Sequence, residues 1–440
     1  MKKKYTIIGS VVVGVLVAFV AAVLLLTKKV PDATDPILSA PVAFNPDKVT
    51  LDFASDLKAA FARAVDKTNL PETSISMADA YVGNDTRNNK TDYSTNLDTQ
   101  KQFYIASVIK PLYVSAIIDI LKITDINYKV PFKFVDADKT FHKISEELSE
   151  YISYKYQTDS LLVDKIVPIL EEAGVSTKED IYTELTTNPK IVGYEFTLED
   201  ILKYTLGPSS NWGLSILRNH FSLKQSLDEE SGANAVETYL NNYLKKNNFT
   251  GNLIVNLSTK SISQKTFNTD NFFEIEYLFQ AFFENKFNLN TKVFELMKVS
   301  MEDVSSDAQK ENRRHEIKSM AKNVFGDNVA VILEKSGYIG LDFEAAPGLN
   351  TLNGWDKLTA QDGKRIVFFD ASAFSRIYLK NGFFIHFNYS IAAPFYISLD
   401  PAYEELNDDY LVNKDSINDA LQTEIKPVLT KYKEYIKFLN

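Results

Sequence analysis

The chain of 440 residues contains no cysteine. That single absence excludes disulfides, thiolate metal sites, a cysteine nucleophile and a lipid-modified N-terminal cysteine. Histidine is almost as scarce: the four present (His142, His220, His315, His386) are scattered, and His315 is followed by Glu-Ile-Lys-Ser rather than by the second histidine of a zinc-binding pair. No metal and no cofactor is therefore expected. Only seven of the 48 basic residues are arginine. The first 29 residues hold five lysines and no acid. The rest sets 43 bases against 58 acids, a net charge of −15. So acidic a body is poorly suited to nucleic acid or to an anionic membrane face.

What is present is an ordinary globular composition, 45% hydrophobic and 24% charged, preceded by one long apolar run. Residues 5–26 carry no charge, and as a helix would span roughly 33 Å, a membrane-crossing length. Three lysines precede the run and two follow it, so residues 1–4 are expected on the cytoplasmic side and the remainder outside, in a single-pass arrangement at the cell membrane. No small-x-small cleavage site abuts the run, which favours an uncleaved anchor over a signal peptide. Residues 27–48, with Pro31, Pro36, Pro41 and Pro46, read as an extended linker. Residues 49–440 then form the folded domain.

Within that domain an amphipathic helix through Leu57, Phe61 and Val65 leads to strand-like segments at 74–81 and 102–105. A helical middle follows, with apolar periodicity at 107–123, 142–156, 159–174, 197–217, 233–246, 271–285 and 291–301. From Val329 the pattern returns to strands, among them VAVILEKSG, KRIVFFDAS, SRIYLK and FFIHFNYSI. The last two are joined by Asn381-Gly382, which predicts a type I′ hairpin. A closing helix is expected over 416–439. Strands from both chain ends with helices between them predict an α+β fold: one antiparallel sheet built from the termini, with an all-helical lobe inserted at about 107–328.

Three short segments bear polar groups suited to chemistry. Ser107 and Lys110 are three apart at the start of an otherwise apolar helix, so they share a face, and the hydroxyl sits where the helix N-terminus favours a developing anion. A lysine partly desolvated in that first turn loses basicity and becomes a plausible base toward Ser107. Ser209-Ser210-Asn211 lies between two helices. Its first hydroxyl can pass a proton to a leaving nitrogen, and the Asn211 amide can bind both Lys110 and a substrate carbonyl. Lys335-Ser336-Gly337 sits on a strand: lysine and hydroxyl offer a carboxylate-binding pair, Gly337 permits close approach, and the Tyr338 N–H can join that of Ser107 as an oxyanion hole.

Ser-x-x-Lys, Ser-x-Asn and Lys-Ser-Gly in this order resemble the motif set of the serine β-lactamase and penicillin-binding protein superfamily, closest to class A β-lactamases. The likeness spans about residues 50–440. It implies a β-lactamase/transpeptidase-like fold and acyl transfer, in which Ser107 attacks a β-lactam or a D-alanyl-D-alanine-type amide of a peptidoglycan stem peptide. The chain also departs from the pattern. Ser210 stands where the family usually has aspartate, and the long gap from Ser107 to Ser209 implies an insertion somewhere in 127–190. No acid occurs from Thr238 to Thr269, where a class A glutamate would activate the deacylating water, leaving Asp270 and Glu274 as the next carboxylates. A D,D-peptidase-like enzyme with slow deacylation, or a non-catalytic protein that holds peptidoglycan peptides, are the alternatives.

Two further residues are ambiguous at this level. Arg376, on a strand beside that of Lys335, offers a second contact to a substrate carboxylate, or else a cross-strand charge on a solvated face. Trp212 suits either a cleft wall or the core.

Overall fold

The computed structural model describes residues 53–68, 74–76, 80–83, 106–154, 159–249, 277–302, 316–342, 364–380, 382, 384–398 and 408–437. The expected membrane anchor (5–26), the linker and the strand expected at 102–105 lie outside the described residues. Among the described residues no helix is long and apolar enough to cross a membrane.

Both chain ends supply one antiparallel sheet. Strands β1 (Ser74–Ser76) and β2 (Ala80–Gly83) pair with β7 (Phe384–Ser398), which pairs with β6 (Lys364–Leu379), which pairs with β5 (Val329–Asp342). KRIVFFDAS and SRIYLK, expected as two strands, form the single strand β6. The β6–β7 connection differs from the expected turn. The Gly382 N–H donates to the Leu379 carbonyl at 3.1 Å, so Gly382 (φ +85°) closes the turn instead of being one of its two central residues. A positive φ on the residue after a turn is the bulged form of hairpin.

The two faces of the sheet bury different things. Ile332, Ile377 and Ile385 share one rung and are fully buried. Leu333, Arg376 and His386 share the next rung and so face the other way; Leu333 belongs to the core of the helical lobe. Helix α1 (Phe53–Thr68) packs along the final helix, Asp408–Lys437. Glu424 is buried there and accepts from Arg63 at 2.6 Å and from Lys67. At the other end of the pair Asp56 meets Lys431 at 2.6 Å and the Tyr432 hydroxyl at 3.1 Å. The final helix begins eight residues before the expected Ser416, because its first turns carry too few apolar residues to show a period.

The lobe is organised around α2 (Lys110–Leu121), in which every residue from Lys110 to Ile118 is buried. With it in the lobe are α3 (Ala137–Tyr154), α4 (Ser160–Lys165), α5 (Val167–Ala173), α6 (Lys178–Thr187), α7 (Pro189–Val192), α8 (Leu198–Leu206), α9 (Asn211–Gln225), α10 (Glu229–Lys246) and, later in the chain, α11 (Thr291–Glu302), whereas α12 (Glu316–Phe325) packs against the final helix and β5. The segment read as one helix over 159–174 is two, broken at Ile166 just before a Pro-bearing first turn. Helix α6 was not foreseen, although Thr177 caps it by accepting from the Asp180 N–H. A two-stranded ribbon, β3 (Lys129–Pro131) with β4 (Glu195–Thr197), ties the insertion region to α8.

The Glu424 pairs give a test with a definite sign. Hydrogen bonds from Lys67 and Arg63 hold the Glu424 carboxyl below its ordinary value of 4.5. A depressed carboxylate stabilises the fold above its unfolded pKa and ceases to do so as pH falls through the folded one. Glu424→Gln should therefore lower the thermal midpoint by a few degrees at pH 7, and the gap between variant and parent should close as pH falls below about 4.5. A gap that is constant from pH 7 to pH 3 would show that the ion pairs contribute nothing.

Candidate active site

Ser107 lies in a 3₁₀ turn, Ala106–Ile109, that runs directly into α2. An α-helix starting at Ser107 was expected. The turn repeats every three residues and leads straight into Lys110, the first residue of α2. Pro111 occupies the first turn of α2, where no N–H is required. Ser107 is partly exposed, whereas Lys110 is 2% exposed.

A buried ammonium requires oxygen partners, and those for Lys110 come from about a hundred residues along the chain. Its Nζ lies 2.8 Å from Asn211 Oδ1, 3.0 Å from Ser209 Oγ and 3.2 Å from the Ser210 carbonyl, and it also donates to the Ser209 carbonyl. An ammonium has three N–H bonds and no acceptor. Three of the four oxygens are carbonyl-type and only accept. The Ser209 hydroxyl is different: it can accept from an ammonium or donate to a neutral amine, which is the property a proton relay needs.

Local structure forces this loop into place. Helix α8 starts with a capping box in which Thr197 and Asp200 bond reciprocally, and it ends at Gly207. Burial alone would raise the Asp200 pKa, but hydrogen bonds from Lys165 and Thr197 hold it below its ordinary value. Ser209 then takes φ +66°, a left-handed conformation that costs a non-glycine residue roughly 1 kcal/mol. The Ser210 N–H closes back onto the Tyr204 carbonyl at 2.8 Å, and Ser210 caps α9 by accepting from the Gly213 N–H at 2.7 Å. Gly213 lets the two helices approach: a Cβ there would fall well inside contact with Thr205 Oγ1 and 3.2 Å from Ser210 Oγ.

The third segment reaches the same place through the sheet. The Ser107 turn packs against β5 and β6. Lys335 is 1% exposed and lies opposite Phe374; Ser336, Gly337 and Tyr338 lie opposite Ala373, Ser372 and Ala371. Among the described residues, strand β5 stands at the end of the sheet order. The three expected segments therefore converge: Lys110 with Ser209 and Asn211 by hydrogen bonds, and Ser107 with the Lys335 strand by packing.

Arg376 requires a correction. It is 2% exposed, so the solvated-face alternative is wrong. Its guanidinium carbon lies 4.9 Å from the Phe283 ring centre and 5.0 Å from that of Phe384, and its Nε bonds His386 Nδ1 at 3.4 Å. Its charge is thus held on aromatic faces inside the fold. Trp212 belongs to the core, edge-on to Phe134, with its indole N–H on Glu147 at 2.8 Å.

Two residues of the implied insertion reach the site without having been foreseen. Asp159 accepts from Ser210 Oγ (2.6 Å), the Asn211 N–H (2.8 Å) and the Trp212 N–H (3.1 Å), and Glu147 accepts from the Asp159 N–H (3.3 Å). Asp159, expected as the first residue of a helix over 159–174, is instead the cap of α4, and nothing in the sequence marks the second helix it caps. Elsewhere, a concavity of about 480 Å³ is lined by Tyr128, Lys129, Lys133, Glu195, His220 and Lys224, none of them motif residues. His220 Nε2 lies 2.8 Å from the Tyr128 hydroxyl, and burial, with help from Lys224, lowers its pKa. Among the described residues no group of three or more His, Asp or Glu side chains is placed to hold a metal ion.

With this geometry established, comparison with solved structures finds a shared arrangement at low sequence identity. The chain is similar to class A β-lactamases and to PBP-A. A class A β-lactamase from Bacteroides cellulosilyticus DSM 14838 is 12% identical over 86% of this chain and 99% of that one, with a TM-score of 0.45. A mutant of PBP-A in an acyl-enzyme complex with penicillin G is 10% identical over 86% and 97%, at 0.42. A halotolerant bacterial β-lactamase is 12% identical over 83% and 98%, at 0.41. No protein-family model and no curated protein matches the chain. At such scores the assignment of roles rests on the residues above and not on these neighbours.

The close approach at Gly213 is directly testable. Gly213→Ala should destabilise the fold by about 1–3 kcal/mol through overpacking against Thr205 and the Ser210 cap. Because strain enters at the cap, amide exchange at Ser210–Gly213 should quicken more than at α10. Uniform quickening, or none, would show that α8 and α9 tolerate the added methyl.

Proposed function

We propose that the chain is a membrane-anchored, extracytoplasmic serine hydrolase resembling class A β-lactamases, which forms an acyl-enzyme on Ser107 with a β-lactam or a D-alanyl-D-alanine-type amide. The observation that carries this reading is the bonding of one buried amine, Lys110, to both Ser209 and Asn211, directly beneath the turn that sets Ser107 against the Lys335 strand.

In this reading Lys110 acts from its neutral amine form: Ser107 Oγ attacks the amide carbon while its proton passes to the amine lone pair, making the ammonium, and the carbonyl oxygen gains charge facing the Ser107 and Tyr338 N–H groups. Lys110 returns the proton through Ser209 Oγ to the leaving nitrogen, so the C–N bond breaks with a neutral amine and an ester remains on Ser107. Asn211 orients the substrate amide, and Lys335 with Ser336 receives the substrate carboxylate. Arg376, enclosed by rings, supports that region through its charge.

Resolution of the ester is where the β-lactamase reading is weakest. The acid-free stretch from Thr238 to Thr269 contains no base for the water, which favours a D,D-peptidase-like enzyme with a long-lived acyl form over rapid hydrolysis. Anchoring by residues 5–26, with the N-terminus cytoplasmic, would hold the domain at the outer face of the cell membrane, beside peptidoglycan stem peptides.

Incubating the full-length chain in detergent with a fluorescent penicillin tests the reading. The expected result is a covalent adduct of the intact penicillin mass, absent in Ser107→Ala, slowed by about 10²–10⁴-fold in Lys110→Met, and outlasting many acylation half-times. Rapid release of opened penicillin would overturn slow deacylation. Failure of Ser107 to form any adduct would overturn the enzyme itself and leave the binding-protein alternative.

A further inference from the structure

We propose that Asp159 is a positioning residue for the acylation step: from outside the motif, it clamps the Ser209–Asn211 loop against Lys110. This rests on the function proposed above and adds to it a residue that neither the motif pattern nor the family likeness assigns.

The hydrogen bonds at the start of α9 account for every N–H that the helix leaves over. The Ser210 N–H goes to Tyr204, the Gly213 N–H to Ser210 Oγ, and the Asn211 and Trp212 N–H groups both go to one oxygen of Asp159. The other Asp159 oxygen accepts from Ser210 Oγ and from the Leu161 N–H at 3.2 Å. One carboxylate thus caps the helix that carries Asn211, orients the hydroxyl that caps it in turn, and is tied to α4.

Asp159 is itself braced. Its N–H donates to one oxygen of Glu147, whose other oxygen holds the Trp212 indole N–H. Glu147 lies on α3, so three helices of the lobe meet through two carboxylates. All three loop residues that give oxygen to Lys110 are adjacent to these bonds: Ser209 precedes Ser210, Ser210 is bonded through its side chain, and Asn211 through its N–H. Ser209 is in a left-handed conformation that its side chain does not favour, so the loop is held by its surroundings and not by local preference. The motif has serine at 210, whose hydroxyl is a neutral cap; the negative charge that complements the helix N-terminus comes from Asp159.

Removing that charge without changing shape should loosen the loop and misplace the relay while leaving the fold intact. In the full-length chain, Asp159→Asn should slow labelling of Ser107 at saturating fluorescent penicillin by about tenfold or more, with a much smaller change in the half-saturating concentration. Amide exchange at Asn211 and Trp212 should quicken, and the Lys110 titration followed by NMR should shift, while exchange in α10 stays as it was. Adding Ser210→Asp, which places a carboxylate at the cap from within the motif, should restore much of the rate and of the protection. The proposal is overturned if Asp159→Asn labels at the parent rate, if the rate falls only in step with the unfolded fraction, or if the double variant recovers neither quantity. Should the parent itself form no adduct, the enzyme reading fails separately, and the exchange and titration results decide the role of Asp159: a loop and a Lys110 unchanged by Asp159→Asn would overturn it.

Discussion

A cation sealed inside a protein must be given oxygens, and much of the lobe can be understood as the consequence of doing so for Lys110. Leaving an ammonium buried without partners costs several kcal/mol, a large part of the net stability of an ordinary domain. Among the described residues four oxygens face Nζ, and they belong to three consecutive residues. Those oxygens converge only if the chain reverses abruptly between α8 and α9. That reversal puts Ser209 at positive φ, brings α8 and α9 close enough to require Gly213, and turns the first N–H groups of α9 toward Asp159. The demand begins in electrostatics and ends in backbone geometry.

The same logic separates what the sequence discloses from what it hides. Period-two and period-3.6 patterns were sufficient for the sheet from both termini and the lobe between them, because those patterns reflect burial of one face. Ser107, Lys110, Ser209 and Asn211 were legible because each motif has a short fixed spacing; the bonds from Lys110 reach Ser209 and Asn211, and Ser107 is placed by its turn against β5. Asp159, Glu147 and Gly213 were not legible: Asp159 and Asn211 are 52 positions apart, and an N-cap aspartate looks the same whether it caps one helix or two. Arg376 was misjudged for a related reason. Strand alternation gives the face a residue occupies, but not whether aromatic rings from another element enclose it. The long strand β6 was split in two because its middle, Asp370 to Ser375, holds small and polar residues that interrupt the apolar pattern while its pairing continues on both sides.

The two carboxylates that the fold brings to the Ser209–Asn211 loop have consequences beyond structure. Asp159 accepts four hydrogen bonds and Glu147 accepts at both oxygens. Acceptors engaged in this way hold a loop in place; they are not arranged to orient a water molecule toward an ester. The groups that acyl-enzyme formation would use in the proposed reading, a nucleophile, a relay and donors for the oxyanion, lie on the Ser107 turn, α2, the Ser209 loop and β5. Hydrolysis of the acyl-enzyme would need one more group, a carboxylate with a free lone pair beside the ester, and the sequence has no acid from Thr238 to Thr269. In the proposed reading the two half-reactions therefore draw on different groups, and those gathered around Lys110 among the described residues belong to the first. Among the described residues, the negative charge near the loop is committed to holding Ser209 and Asn211 against Lys110, and it is on that commitment that the proposed slow resolution of an acyl form depends.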